Sequence, residues 1–197
     1  MNDDPSFPTI FLLSPANLSG LRAKQLTSPR AQFEAARRYR TPEGVPIAEA
    51  FAFMSALYFR GKIAYARRFA STPECIYVIT PGFGLVGPDW RIDESRMKKL
   101  RRTDVDLRSN SYRRPLERDA QALASRLEGG GTVVLLGSVA TGKYVDLLWP
   151  IFGSALCFPR CFAGIGDMSR GALMLRAAAS GIELDYATLD EPRHRTR

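Results

Sequence analysis

The sequence predicts an α/β fold: a single three-layer (αβα), Rossmann-like domain built on a mostly parallel sheet of about five strands. Three observations predict it. Short apolar runs of strand length alternate with longer segments of helical periodicity. The runs are continuous in Val, Ile, Leu and Phe, as strands covered on both faces require. Most end in a cluster of Gly, Pro, Ser or Asn that opens a helix.

The first run is Pro8 to Leu13, ending in Ser14-Pro15-Ala16-Asn17. Ser19 is placed to cap a helix through Leu21 and Leu26, extending to Phe33–Tyr39 with a break near Ser28-Pro29. Ile47 to Phe69 reads as one long helix with Phe51, Met54, Leu57, Tyr58 and Ala64 among its apolar positions and Gly61 in its middle. Tyr58 and Lys62 are four apart and share a face; Arg60 and Lys62 do not. Cys75 to Thr80 is the second strand, ended by Pro81-Gly82-Phe83-Gly84.

Arg91 to Arg118 is the most charged stretch, and Leu116 to Leu127 an amphipathic helix stopped by Gly129-Gly130-Gly131. Thr132 to Leu136 is the clearest strand and runs through Gly137–Lys143 into a helix. Ala155 to Phe158 is a short strand. Gly164-Ile165-Gly166-Asp167 opens the helix Met168–Ala179, which Gly181 ends, and Ile182 to Leu189 alternates as an edge strand. The domain is expected to span 1–192, with 193–197 a disordered basic tail.

Composition bounds the chemistry. The chain has 197 residues, 45% hydrophobic and 24% charged, ordinary for a globular protein and enough to build a core without disulfides. No apolar run reaches membrane-helix length, and the start lacks the basic and apolar regions of a secretory signal. A cytoplasmic protein with no membrane partner is expected. A net charge of +8 points to a polyanionic partner, a nucleotide or a nucleic acid. The cysteines are Cys75, Cys157 and Cys161, read as small buried thiols. The single histidine, His194, leaves too few ligands for zinc and no partner for a Ser–His or Cys–His pair. No metal and no cofactor are expected. Acid–base work falls to Asp, Glu, Lys or Tyr.

In an open parallel sheet, ligands bind beyond the carboxyl ends of the strands. That rule selects Ser14–Asn17, Thr80–Leu85, Gly137–Tyr144 and Gly164–Arg170. Gly137-Ser-Val-Ala-Thr141-Gly142-Lys143 fits the first seven positions of a phosphate-binding loop between strand and helix. Tyr144 stands where the magnesium-binding Ser or Thr belongs, so a phosphate or carboxylate nest competes with a plain turn, ahead of a true nucleoside triphosphatase. Asp167 reads either as a helix cap or as a catalytic carboxylate facing a sugar or a water. Gly166, Ser169 and Arg170 accompany it, with Arg170 as an anion clamp, and Gly171 and Ala172 bring the helix close to the sheet. Gly82 and Gly84 flank Phe83, which is either tucked into the core or presented for base stacking. Asn17 closes the first loop, and Tyr144 assists Asp167. Arg101, Arg102, Arg113 and Arg114 are the candidate nucleic-acid contacts of the basic stretch.

Several of these pieces, in this order, resemble the bacterial YaaA-type peroxide-stress proteins and related small α/β domains. The similar segments are Leu13-Ser14-Pro15-Ala16, Leu57-Tyr58 before aromatics and Arg, and Tyr77 to Leu85 with Asp89. Leu136-Gly137, Lys143-Tyr144 and Gly164 to Gly166 complete them. The resemblance implies an α/β fold and a connection to nucleic acids or nucleobases; it brings no settled enzymatic mechanism. The expected function is a nucleotide- or nucleic-acid-directed protein with a phosphate and base pocket at the strand ends, acting on a nucleobase or an N-glycosidic bond. The alternatives are a non-catalytic DNA- or RNA-binding protein using 91–118, and a module that docks an acidic protein.

Overall fold

Strand β1 (Thr9–Leu13) shows how the sheet is dressed. Ile10 and Leu12 enter one apolar cluster and Phe11 and Leu13 the other, as the two-residue period of a strand requires. In a computed structural model describing residues 7–127, 130–140 and 142–188, β1 is flanked by two parallel neighbours. β3 (Ile76–Thr80) pairs with it at Leu12↔Tyr77, and β6 (Thr132–Leu136) at Phe11↔Val134. β7 (Leu156–Pro159) continues the parallel set beyond β6. Antiparallel strands close both edges, β4 (Gly84–Val86) on β3 and β8 (Tyr186–Thr188) on β7. The sheet order is β4-β3-β1-β6-β7-β8, and β2 (Val45–Pro46) pairs with β5 (Arg91–Ile92) as a separate ribbon.

The α/β class and the mostly parallel sheet agree with the sequence; the strand number does not. The main sheet has six strands rather than about five, because β4 occupies part of what reads as a glycine turn. Gly82 and Gly84 take φ of +84° and +77°, which lets the chain reverse within Pro81–Phe83 and pair Thr80 with Gly84. The edge strand near the C-terminus begins only at Tyr186.

Helices cover both faces, compatible with three layers. On one side lie α1 (Leu21–Leu26), α2 (Glu34–Tyr39), α3 (Ile47–Phe69) and α7 (Asp167–Ser180). On the other lie α5 (Asn110–Arg126) and α6 (Val145–Phe152). The basic stretch holds β5, α4 (Glu94–Arg102) and the start of α5, six residues earlier than its apolar pattern indicates. Asp93 caps α4 by accepting from Arg96 N at 2.8 Å.

Two expected caps are filled otherwise. Gly20 precedes α1, while Ser19 N and Oγ donate to Asn17 Oδ1 at 2.9 and 2.8 Å. Gly166 is the residue before α7, so Asp167 is the first helical residue rather than its cap. Cys161 is exposed, unlike Cys75 and Cys157, which are buried. Among the described residues no helix is long and apolar enough to cross a membrane. Thr141, His194 and the 193–197 tail lie outside the described residues.

Gly171 packs α7 against α3, not against the sheet. A Cβ on Gly171 would lie 2.7 Å from the Leu57 carbonyl oxygen, and one on Gly61 would lie 2.6 Å from that of Gly171. Hydrogen in place of a side chain at both positions therefore permits the most extensive helix–helix contact in the molecule. One turn upstream of Gly61, α3 is kinked: Ala56 adopts φ 45°, ψ −119°, a conformation costly for any residue with a Cβ.

Candidate active site at the strand ends

The chain leaves β1 toward β3 on one side and reaches β6 on the other. The carboxyl ends of β1 and β6 are therefore the point where strand order reverses, the usual place for a ligand crevice. Ser14 follows β1 and Gly137 follows β6. Ser14 N donates to Leu136 O at 3.2 Å, and a Cβ on Gly137 would come within 2.9 Å of Ser14 Cβ and 3.0 Å of its Oγ. Glycine at 137 thus makes room for the Ser14 side chain.

A cavity of about 800 Å³ opens over this point, within the roughly 300–1,000 Å³ of small-molecule sites. The β1 end supplies Ser14 to Ser19, and α3 supplies Ser55 and Tyr58 on either side of its kink. Pro81 comes from the β3–β4 turn, Ser138, Lys143 and Tyr144 from the loop after β6, and Asp167 from α7. Lys24, Arg101 and Lys143 place three cationic side chains around it, with Asp167 as the carboxylate.

Behind Ser14 lies Lys62, fully buried on α3. Its Nζ donates to Ser14 Oγ at 2.7 Å and to Ser14 O at 3.1 Å, and lies 3.8 Å above the Tyr58 ring. Burial is the main cause that brings its pKa down to about 7; Asp167 opposes that shift and Arg170 adds to it. No carboxylate pairs with this amine among the described residues. Tyr58 Oη is buried and meets no hydrogen-bond partner at bonding geometry among the described residues; burial pushes its pKa up, against the nearby Arg170 guanidinium, which lowers it. Burial, then the neighbouring Tyr58 and Asp167, push Tyr144 up to about 12. Both phenols therefore stay protonated near neutrality and are donors rather than bases.

Of the residues singled out from sequence, Asn17, Arg101, Lys143, Tyr144 and Asp167 line the cavity together. Gly137 shapes it from behind. Gly142 turns the chain into α6 with φ +65°, its carbonyl accepting from Asp146 N. Gly166 and Ser169 are exposed on the α7 side. The Arg170 guanidinium donates twice to Phe162 O, at 3.2 and 2.9 Å, and pairs with Asp167 at 3.5 Å.

Gly82, Phe83 and Gly84 stand apart from the cavity lining. Phe83 packs on Trp90 with ring centroids 4.9 Å apart, under Lys99 Nζ at 4.2 Å. Gly82 faces Thr103 and Lys99, and Gly84 faces Pro115 and Asp119. The basic candidates also divide. Arg101 ties α4 to α1 by donating to Leu18 O, Ala23 O and Thr27 Oγ1. Arg113 donates to Asn110 Oδ1, and Arg102 and Arg114 are exposed.

Sequence reasoning gave neither Ser14 nor Lys62 a role of its own, although Ser14 opens the first of the four selected loops. The signal for Lys62 was its shared face with Tyr58 on an apolar helix; the signal for Ser14 was its place directly after the central strand. Among the described residues no three His, Cys, Asp or Glu side chains gather to hold a metal ion. Comparison with protein-family models, curated proteins and solved structures gave no significant match.

Proposed function

We propose that this cavity binds a nucleotide or a related phosphorylated small molecule on a Rossmann-like sheet, and that the protein acts on the bound molecule. The observation that carries the reading is the cavity's position at the strand-order reversal, with Lys24, Arg101 and Lys143 around one space and a single carboxylate, Asp167, facing them. Cations at the mouth meet phosphate. Asn17, Ser138 and the Tyr144 hydroxyl supply the few polar groups that orient a sugar or base. Asp167, exposed at the N-terminal end of α7, is the group available to a sugar hydroxyl or a water, as attack at a glycosidic bond needs.

Thermal-shift titration with mononucleotides, nucleosides and short oligonucleotides at low and high salt tests this. A mononucleotide at 100 times its Kd contributes about 2.7 kcal/mol and raises Tm by several degrees. Lys143→Ala is expected to weaken that binding by about tenfold or more, the loss of one charge-assisted contact. Stabilisation by oligonucleotides alone, abolished by salt and by Arg102→Glu with Arg114→Glu, would move the function to the α4–α5 surface and remove this reading.

A further inference from the structure

We propose that Ser14 is a nucleophile and Lys62 its general base, forming a serine–lysine pair that accepts an acyl group from an anionic ester or thioester bound in the cavity. The order of the groups in space carries the inference. Ser14 lines the cavity, whereas Lys62 does not; the amine stands behind the hydroxyl, 2.7 Å from it and sealed from solvent. A lysine that formed a Schiff base would need to reach the ligand itself. One that balanced charge would need a carboxylate, and the amine has none bonded to it among the described residues.

Several features fit that chemistry. Desolvation leaves a large share of the Lys62 amine neutral near pH 7, the form that accepts a proton. The amine donates to Ser14 O and to Ser14 Oγ in this structure; in its neutral form it keeps the bond to Ser14 O and accepts from the Ser14 hydroxyl across the same 2.7 Å. The groups facing this amine are Tyr58 on its own helix and Asp167 and Arg170 on α7. The unpartnered Tyr58 hydroxyl is a buried donor at the same wall, and the backbone N–H groups of Ala16 and Asn17 on that loop donate to no acceptor among the described residues. Such donors are what a developing oxyanion requires.

The step balances. Ser14 Oγ bonds to the acyl carbon while its proton passes to Lys62 Nζ. The carbon–oxygen or carbon–sulfur bond to the leaving group breaks, and the leaving group takes the proton from Lys62. Water then attacks the acyl carbon as its proton passes to Lys62; the acyl carbon–Oγ bond breaks, the free acid leaves, and Lys62 returns that proton to Ser14 Oγ. The inference uses the same cavity as the reading above but does not depend on a nucleotide.

A fluorophosphonate probe tests it without a known substrate, because Ser14 Oγ would displace fluoride from phosphorus. Intact-mass and peptide analysis should find one phosphonyl group on Ser14 and none on the Ser14→Ala protein. The labelling rate should fall about tenfold for each pH unit below about 7. Lys62→Met should slow labelling by 100-fold or more. The wild-type pH profile stands on its own if that variant does not fold. A folded wild type that stays unlabelled, or Ser14 labelling whose rate ignores pH, overturns the pair. Labelling that no mononucleotide slows keeps the pair and removes the nucleotide reading; nucleotide binding by a protein that resists the probe does the reverse.

Discussion

The loop after β1 and the turn after β3 leave adjacent parallel strands at the same edge of the sheet, and they end differently. After β1 the neighbouring strand β6 belongs to the opposite half of the topology, so none of the described residues fills the space above Ser14 and a cavity remains among them. After β3 the chain doubles back as β4, and Phe83, Trp90, Lys99 and Asp119 close the space. A glycine-rich strand end is therefore not a site by composition. It becomes one where the strand order parts.

The two glycine contacts sharpen this contrast most strongly. Gly171→Ala forces a Cβ against the Leu57 carbonyl. Gly84→Ala combines a positive φ with a Cβ placed 2.1 Å from Asp119 Oδ2. Each should cost about 3 kcal/mol, read as a lowered urea midpoint. Only Gly171→Ala should also weaken ligand binding in protein that remains folded, since α7 carries Asp167 to the cavity. Equal losses of binding in both would mean that Gly84 and β4 hold the site in place as much as α7 does.

Lys62 gives the next effect, through pH. Its pKa is near 10.4 in the unfolded chain and about 7 in the fold. Between those values the unfolded chain holds the extra proton, so stability should rise with pH, by up to about 1.4 kcal/mol per unit. Below pH 7 the cost of burying the charged amine is present in full. Lys62→Met should flatten that rise in a Tm-against-pH series; a rise that persists would assign it elsewhere. The smallest effect belongs to the closed turn. Phe83→Leu should cost about 1 kcal/mol through lost aromatic and cation contacts, and should leave cavity binding unchanged in a titration.

Much of this frame is legible in the sequence. β6 coincides with its apolar run, the helical span Ile47–Phe69 matches its pattern except for the kink at Ala56, which the pattern does not show, and Gly181 ends α7 in a left-handed conformation. These are local matters of period and punctuation. The missed features are tertiary. Arg170 sits one turn after Asp167 and reads as a clamp, yet the Phe162 carbonyl, brought near by the chain after β7, takes its guanidinium. Phe83 reads equally as a stacking face or a core residue, and Trp90 decides. Lys62 looks like any helical lysine until Ser14, 48 residues earlier, arrives beside it. The burial of that amine is invisible in the sequence because the elements around it lie far apart in the chain.

The close crossing of Gly61 and Gly171 joins segments more than a hundred residues apart in the chain. During synthesis α3 leaves the ribosome long before α7 exists, and contacts of such separation form late. Asp167 and Arg170, the charges that act on the Lys62 amine, both arrive with α7. On the proposal above, the charges around the Ser14–Lys62 pair are therefore complete only after the segment carrying Gly171 has been made and has crossed α3.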